Sequence, residues 1–403
     1  MRDCAARMNR ILASNAPRLS HFKSARPAYE ATQTEVLEWL ASLHTQAERS
    51  RSADPDAFDA ETFHRRLRKL LYRYGCSPEK IATRGYEITD GNHKDWADMP
   101  IYNVVRRPEG AGSHARTDVY SLAAEGAINR LYAEGEAPPR DLVHVTCTGY
   151  ASPSAAQKLV SKRGWGQRTR VTHAYHMGCY ASLPAIRIAA GFAARERMEG
   201  EAPRTDIVHS EVCTLHLRPA DHSPEQLVVQ SLFADGHIRY AVTSSDATAQ
   251  EAAEPSLAVL STHEEILPDS EGAMAWMASD HGMYMTLSRE VPGRIAQAAR
   301  GFVSRLFADA GLSLTEHAAE AIFAIHPGGP KVIDVVQQAL ELSEAQVSAS
   351  RQVLLRFGNM SSATLPHIWM NILAAADVPA GTLVASLAFG PGLTVSGALM
   401  VKT

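Results

Sequence analysis

The chain has 403 residues, a formal net charge of −4 and acidic and basic side chains dispersed along its length. Such a length buries a large core as two domains or two fused halves, and this charge gives no general electrostatic reason to expect a nucleic-acid partner. The five cysteines, Cys4, Cys76, Cys147, Cys179 and Cys213, are odd in number and lack short repeated spacing, which argues against a disulfide framework and for a reducing cytoplasm. The start of the chain carries no apolar core of signal-peptide length, and nowhere do about 18 apolar residues run unbroken, so neither export nor a membrane span is expected.

After a short apolar start around Ile11 and Leu12, Thr32 to Arg49 repeats Val36, Leu37, Leu40 and Leu43 at helical spacing. Ser50 to Asp59 is a polar loop with Pro55. The following helix, Phe63 to Tyr74, is strongly basic. Arg66, Lys69 and Arg73 fall at i, i+3 and i+7 and so form one cationic stripe, suited to a phosphate-bearing ligand or an acidic carrier. A solvated helix face is the bland reading of the same pattern.

Arg106 to His114 is a Pro/Gly-rich link and Val119 to Tyr132 a helix. Asp141 to Cys147 is a short buried strand that ends in a Thr148-Gly149 turn. A helix from Ser154 to Lys162, the stretch around Cys179 with its own helix from Leu183 to Arg197, and a strand from Asp206 to Val212 follow. Alternating helices and buried strands define an α/β protein. The polar, Ala-rich passage from Ser244 to Pro255 marks the boundary between an N-terminal half, 1–250, and a C-terminal half, 251–403.

In the second half a turn-rich element, Ile266 to Gly272, precedes a helix from Pro292 to Ala310. The strand Ala321 to Ile325 delivers His326 at its carboxyl end, where open α/β sheets place their ligands, and a helix starts at Lys331. Asn359 stands just before a helix carrying Leu365, Ile368, Trp369, Ile372 and Leu373. Two apolar strands, Thr382 to Phe389 and Leu393 to Val401, joined by Gly390-Pro391-Gly392, close the chain as a hairpin.

Cys179 sits among small residues before a helix, where unpaired N–H groups and the helix dipole favour thiolate, the attacking species. A thioester-handling nucleophile needs an imidazole and a polar amide to stabilise an oxyanion or enolate, and His326 and Asn359 are each presented at a turn. Zinc is the rival for His173, His176 and Cys179, but no fourth ligand follows and strand alternation points the two histidines apart. Other nucleophile and phosphate-loop signatures are absent.

Six motifs stand in order along the chain: Met177-Gly178-Cys179-Tyr180, Leu232-Phe233-Ala234-Asp235-Gly236, Ile266-Leu267-Pro268-Asp269-Ser270-Glu271-Gly272, Ile325-His326-Pro327-Gly328-Gly329-Pro330, Gly358-Asn359-Met360-Ser361-Ser362-Ala363 and Phe389-Gly390-Pro391-Gly392-Leu393-Thr394. Together they resemble the type III polyketide synthases, the chalcone synthase-like enzymes, over nearly the whole chain. The resemblance implies a thiolase-like fold of two related halves in five αβαβα layers, acting as a homodimer without metal or tightly bound cofactor on coenzyme A or acyl-carrier-protein thioesters. It makes Cys179 the nucleophile, His326 and Asn359 the catalytic pair, Phe233 a gatekeeping aromatic, and Arg66, Lys69 and Arg73 the coenzyme A or carrier contact.

Three positions depart from the pattern. A second gatekeeping Phe appears as Met285, a small cavity-floor residue as Trp276 and a cavity Thr as His216, whose polar tip could orient a β-keto oxygen. These exchanges, with the insertion before the basic helix, suggest a specialised bacterial member. Alternatives are a ketosynthase that joins two carrier-bound β-ketoacyl chains into an α-pyrone, a ketoacyl synthase III-like enzyme, and an inactive thiolase-fold scaffold.

Overall fold

The computed structural model describes residues 16–199, 204–243 and 254–403. Cys4, Ile11, Leu12 and most of the passage from Ser244 to Pro255 lie outside the described residues.

Helix α1 (Gln33–Arg51) begins where Thr32 and Glu35 satisfy each other's backbone N–H groups in a reciprocal cap, and such caps contribute about 1 kcal/mol. Its Leu37, Leu40 and Leu43 are fully buried. Helix α2 (Ala60–Tyr74), capped by Asp59, buries only Leu67 and Leu71 and keeps its cations outside. Helix α3 (Ser113–Leu131) starts six residues before the sequence expectation, inside the expected Pro/Gly-rich link. Helices α4 (Ala155–Lys162), α5 (Ser182–Met198) and α6 (Pro224–Leu232) complete the first half. The second half holds α7 (Val291–Asp309), α8 (Pro330–Leu340), α9 (Glu344–Phe357) and α10 (Thr364–Ala374).

Strands β1 (Arg18–Ala25), β4 (Asp141–Thr146), β5 (Arg170–Tyr175), β6 (Thr205–Glu211) and β7 (Gly236–Thr243) join β8 (Leu257–Ile266), β11 (Ile322–Ile325), β12 (Leu383–Gly390) and β13 (Thr394–Lys402) in a nine-stranded sheet. Its order is β11-β12-β13-β8-β1-β7-β6-β4-β5, so the strands of the two halves meet at β1 and β8. Two small antiparallel pairs stand apart, β2 (Tyr29–Thr32) with β3 (Thr83–Tyr86) and β9 (Met274–Ser279) with β10 (Gly282–Leu287). The closing hairpin is β12 with β13, antiparallel as its Gly-Pro-Gly turn requires.

Three apolar clusters give the layering. One packs α3 and α4 on the first-half strands, another packs α7 and α8 on the second-half strands, and the third holds α5 and α10 between strands of both halves. The order is helices, first-half strands, helices, second-half strands, helices. Each fully buried Leu or Ile in these clusters contributes about 1.5–3 kcal/mol over an exposed one. The arrangement is the thiolase-like α/β fold, and its central helical layer carries the turns that precede α5 and α10.

Candidate active site

The turn before α5 is a single 3-10 turn, Gly178 to Tyr180, rather than the helix terminus itself. Gly178 has φ +75°, and a Cβ there would come within 2.9 Å of Pro391. The glycine therefore lets the β12–β13 hairpin close over the turn. Gly390 makes the same allowance for the Tyr180 ring, which a Cβ would meet at 2.2 Å. On the other side lies the 3-10 turn Ser361–Ala363, whose Ser361 adopts φ +50°. A left-handed non-glycine residue costs energy and persists only where its surroundings hold it.

Cys179 is 8% exposed. Its Sγ lies 3.8 Å from Ser361 Oγ, and Asn359 also hydrogen-bonds the thiol. Burial pushes this thiol up to about 12; Ser361 and Asn359 act against that shift and the nearby Glu211 carboxylate adds to it. The thiolate expected from the helix dipole is thus overruled by desolvation, and the resting group is a thiol. Asn359 is held on its other side, where Oδ1 accepts from Ser361 N–H at 2.8 Å. Its backbone pairs around Phe233: Asn359 N–H donates to Leu232 O at 3.1 Å and Ala234 N–H to Asn359 O at 2.8 Å.

His326 stands at the carboxyl end of β11, beside Leu387 of β12, the strand that packs on the Cys179 turn. It is fully buried, and neither ring nitrogen has a hydrogen-bond partner. Burial lowers its pKa to about 3, so the ring is neutral, with one nitrogen able to accept and one to donate. Cys179 and Asn359 are in contact, whereas His326 forms no hydrogen bond with either.

Cys179 opens into an apolar void of about 610 Å³, part of it open to solvent, lined also by Phe233, His216, Trp276, Met285, Gln226 and Cys147. Phe233, Leu217 and Gln230 also wall a second void of about 560 Å³. Trp276 and Met285 face each other across the β9–β10 pair. The Trp276 indole donates to Cys147 O at 2.6 Å and meets the His216 ring edge to face. His216 bonds Thr148 O through Nε2 at 2.8 Å and accepts Met283 N–H at Nδ1 at 3.0 Å. Both nitrogens are engaged with backbone, so the expected polar tip does not reach the cavity and His216 is a wall.

Arg66, Lys69 and Arg73 are exposed on α2, which packs on α6, and α6 supplies the cavity residues Gln226, Val229 and Gln230. None of the three forms an ion pair among the described residues, while Arg65 and Arg68 on the same helix pair with Glu61 and Glu38. His173 bonds Ser154 and His176 bonds Tyr150; no group of histidine, cysteine or acidic side chains among the described residues could hold a metal ion.

Sequence reasoning missed three groups. Ser361 lies within a quoted motif, but nothing in its neighbours announces the bend that turns it between two sulfurs, 3.0 Å from Cys147 Sγ. Cys147 read as strand filler. Glu211 is a fully buried carboxyl that accepts from Cys147 N–H at 3.1 Å, from Thr148 Oγ1 at 2.8 Å and from Ser362 Oγ, and burial raises its pKa. An acid at the end of a short strand that otherwise reads as buried was the signal that could have found it.

Fold and pocket together define a thiolase-type condensing enzyme. The sequence profile of the chalcone and stilbene synthase N-terminal domain matches residues 113–246 and that of the C-terminal domain residues 258–403. The chain belongs to the chalcone and stilbene synthase family and is a type III polyketide synthase-like enzyme. Solved structures with the same fold include the C-terminal type III polyketide synthase domain of Steely1, a type I/III hybrid from Dictyostelium, at 22% identity and TM-score 0.77 over 96% of this chain and 99% of that one. The polyketide synthase PKS-I of the brown alga Ectocarpus siliculosus matches at 20% identity and TM-score 0.79 over 96% and 99%. The 1,3,6,8-tetrahydroxynaphthalene synthase of Streptomyces coelicolor matches at 21% and 0.74 over 95% and 98%. No helix among the described residues is long and apolar enough to cross a membrane.

Proposed function

We propose that this enzyme transfers an acyl group from a coenzyme A or carrier-protein thioester to Cys179 and extends it once with the enolate of a malonyl or β-ketoacyl thioester. The contact of the Cys179 thiol with the Asn359 amide in an apolar pocket carries this reading. His326, neutral and unpartnered, accepts the proton as sulfur attacks the starter carbonyl, then passes it to the departing thiolate. The Cys179 backbone N–H meets the oxyanion of that step.

When the extender enters, the free N–H of His326 and the Asn359 amide donate to its thioester carbonyl. Charge develops on that oxygen as carbon dioxide leaves, so these donors lower the barrier at the moment of need. The enolate carbon then attacks the acyl carbonyl, and the Cys179 thiolate is released.

Trp276 supports a single extension. It occupies volume that further units would need, and an interior near crystal density does not simply make room. Met285 opposite it is a flexible thioether that adapts to an aliphatic chain. A β-keto or pyrone-like product follows. The reading needs no cofactor beyond the thioesters, and it takes the enzyme to be a cytoplasmic homodimer whose α2 cations, Arg66, Lys69 and Arg73, meet the phosphate end of the donor. Intact-mass measurement after exposure to a panel of acyl thioesters, with product analysis by mass, tests it; absence of an adduct at Cys179 with every donor would overturn the assignment.

A further inference from the structure

A run of hydroxyl, imidazole and carboxyl groups that the proposed chemistry leaves unused extends from the nucleophile to the edge of the sheet. Ser361 Oγ stands 3.8 Å from Cys179 Sγ and 3.0 Å from Cys147 Sγ, which is 3.7 Å from Glu211 Oε2. Glu211 Oε2 accepts from Thr146 Oγ1 at 3.3 Å, and the Thr146 hydroxyl interacts with that of Tyr120. Tyr120 Oη is 3.0 Å from Ser210 Oγ, Ser210 Oγ is 2.8 Å from His144 Nε2, and His144 Nδ1 is 2.7 Å from Tyr175 Oη. Thr146, Tyr120, Ser210, His144 and Glu211 are buried; Tyr175 is half-buried on the outermost strand, β5, stacked on the exposed His173.

We propose that this run is a proton relay that returns a proton to the Cys179 thiolate after each condensation. The inference rests on the condensing reaction above. Acyl-Cys179 plus an ionised malonyl thioester gives a β-ketoacyl thioester, carbon dioxide and Cys179 thiolate: the enolate carbon bonds the acyl carbon, the C–S bond breaks and its electron pair stays on sulfur. One proton must then reach a sulfur that is 8% exposed in an apolar pocket. Loading needs none, because the proton lost by the thiol leaves with the departing thiol.

From Tyr175 to Glu211 every member can donate to the next in one sense; beyond it the Cys147 thiol donates to Glu211 in the resting enzyme and turns to Ser361 as Glu211 gives up its proton. Tyr175 O–H donates to His144 Nδ1, His144 Nε2–H to Ser210, Ser210 to Tyr120, Tyr120 to Thr146 and Thr146 to Glu211; the Glu211 carboxyl, Cys147 and Ser361 complete the path to Cys179. Burial keeps His144 neutral, with a pKa of about 3, so it carries the single N–H this direction requires. A purely structural network has no need of a uniform sense.

Enzyme preloaded with hexanoyl-coenzyme A is mixed with malonyl-coenzyme A and followed by rapid quench, with loading measured separately. Ser210→Ala should keep loading and the first condensation at the wild-type rate and slow later turnovers by about tenfold or more, with an enlarged solvent deuterium effect. Ser210→Thr should restore turnover, and Tyr175→Phe, at the outer end, should reproduce the Ser210→Ala pattern if that variant folds poorly. Equal slowing of first and later turnovers, or no slowing, overturns the relay. Wild-type enzyme that forms no first-turnover product would overturn the condensing reading and the relay together, whereas normal wild-type turnover with unaffected variants removes the relay alone.

Discussion

A thiol that burial leaves almost without water, and that lies near the Glu211 carboxylate, keeps its proton far above neutrality. Iodoacetamide reports this directly, since only the thiolate attacks. Alkylation of Cys179 should keep accelerating from about pH 8 to about pH 11 instead of levelling near the ordinary thiol value of about 8.5. Cys147, raised well above the ordinary value by burial and by Glu211, should also react slowly, and Cys179→Ala should remove the acyl adduct completely. A plateau below about pH 9 would mean that the pocket is wetter than its geometry. His326 and Asn359 make a different demand. Because enolate charge develops only in condensation, His326→Ala and Asn359→Ala should each cost that step about 3–4 kcal/mol while loading suffers less; single-turnover loading beside condensation measures the split. The placement of Cys179, His326 and Asn359 at turns was legible because each stands beside a recognisable strand or helix. Ser361 and Glu211 were not, since what matters in them is a strained backbone angle and contact across the molecule.

Helices were the most legible elements, and where they erred the cause is local. The start of α3 carries Ser113, His114, Arg116, Thr117 and Asp118, so apolar periodicity begins only later in that helix. Helix α9, rich in Ser, Gln and Arg, passed unseen because only one narrow stripe of it is buried. Strand β7 hid for the opposite reason. His237 and Arg239 interrupt its apolar run yet are buried, His237 against Glu87 and Arg239 against Glu136 and Asp206, partners that no local pattern reveals. The β9–β10 pair went unrecognised as strands although Trp276 and Met285 were singled out, and its register sets the two directly opposite each other. Trp276→Gly should open the floor while leaving Met285 in place, so a fixed starter with malonyl-coenzyme A should yield longer products by mass; an unchanged product range would refute the filled-floor argument. On α2, the triple replacement of Arg66, Lys69 and Arg73 by alanine should raise KM for a coenzyme A thioester, an effect that fades with salt, and spare a short phosphate-free mimic. Equal KM values would return the stripe to a solvated face.

Across the whole molecule, burial of neutral imidazoles ties folding to pH. His44, His144, His209, His216 and His326 are each lowered to about 3 from an ordinary 6.5. A depressed folded value means that the unfolded chain binds more protons below pH 6.5, so their contribution is complete above 6.5 and lost as pH falls towards about 3. Asp235, raised to about 7, works in the opposite sense, its contribution being present in acid and lost as pH rises through about 7. The histidines outnumber it, and each is worth up to about 1.4 kcal/mol per pH unit within its window. Denaturant midpoints should therefore fall between pH 7 and pH 5, and a flat profile would contradict the dry cores drawn here. The two halves are also stitched at the site itself. Phe233 belongs to the first and Asn359 to the second, and their main chains grip each other through the bonds at Leu232 and Ala234. A door whose hinge is bolted to the anvil cannot swing without shifting it. In the proposed reaction, admission of substrate past Phe233 then falls to rotation of its ring, which leaves the Asn359 amide still, so that opening the mouth and aiming the enolate do not compete.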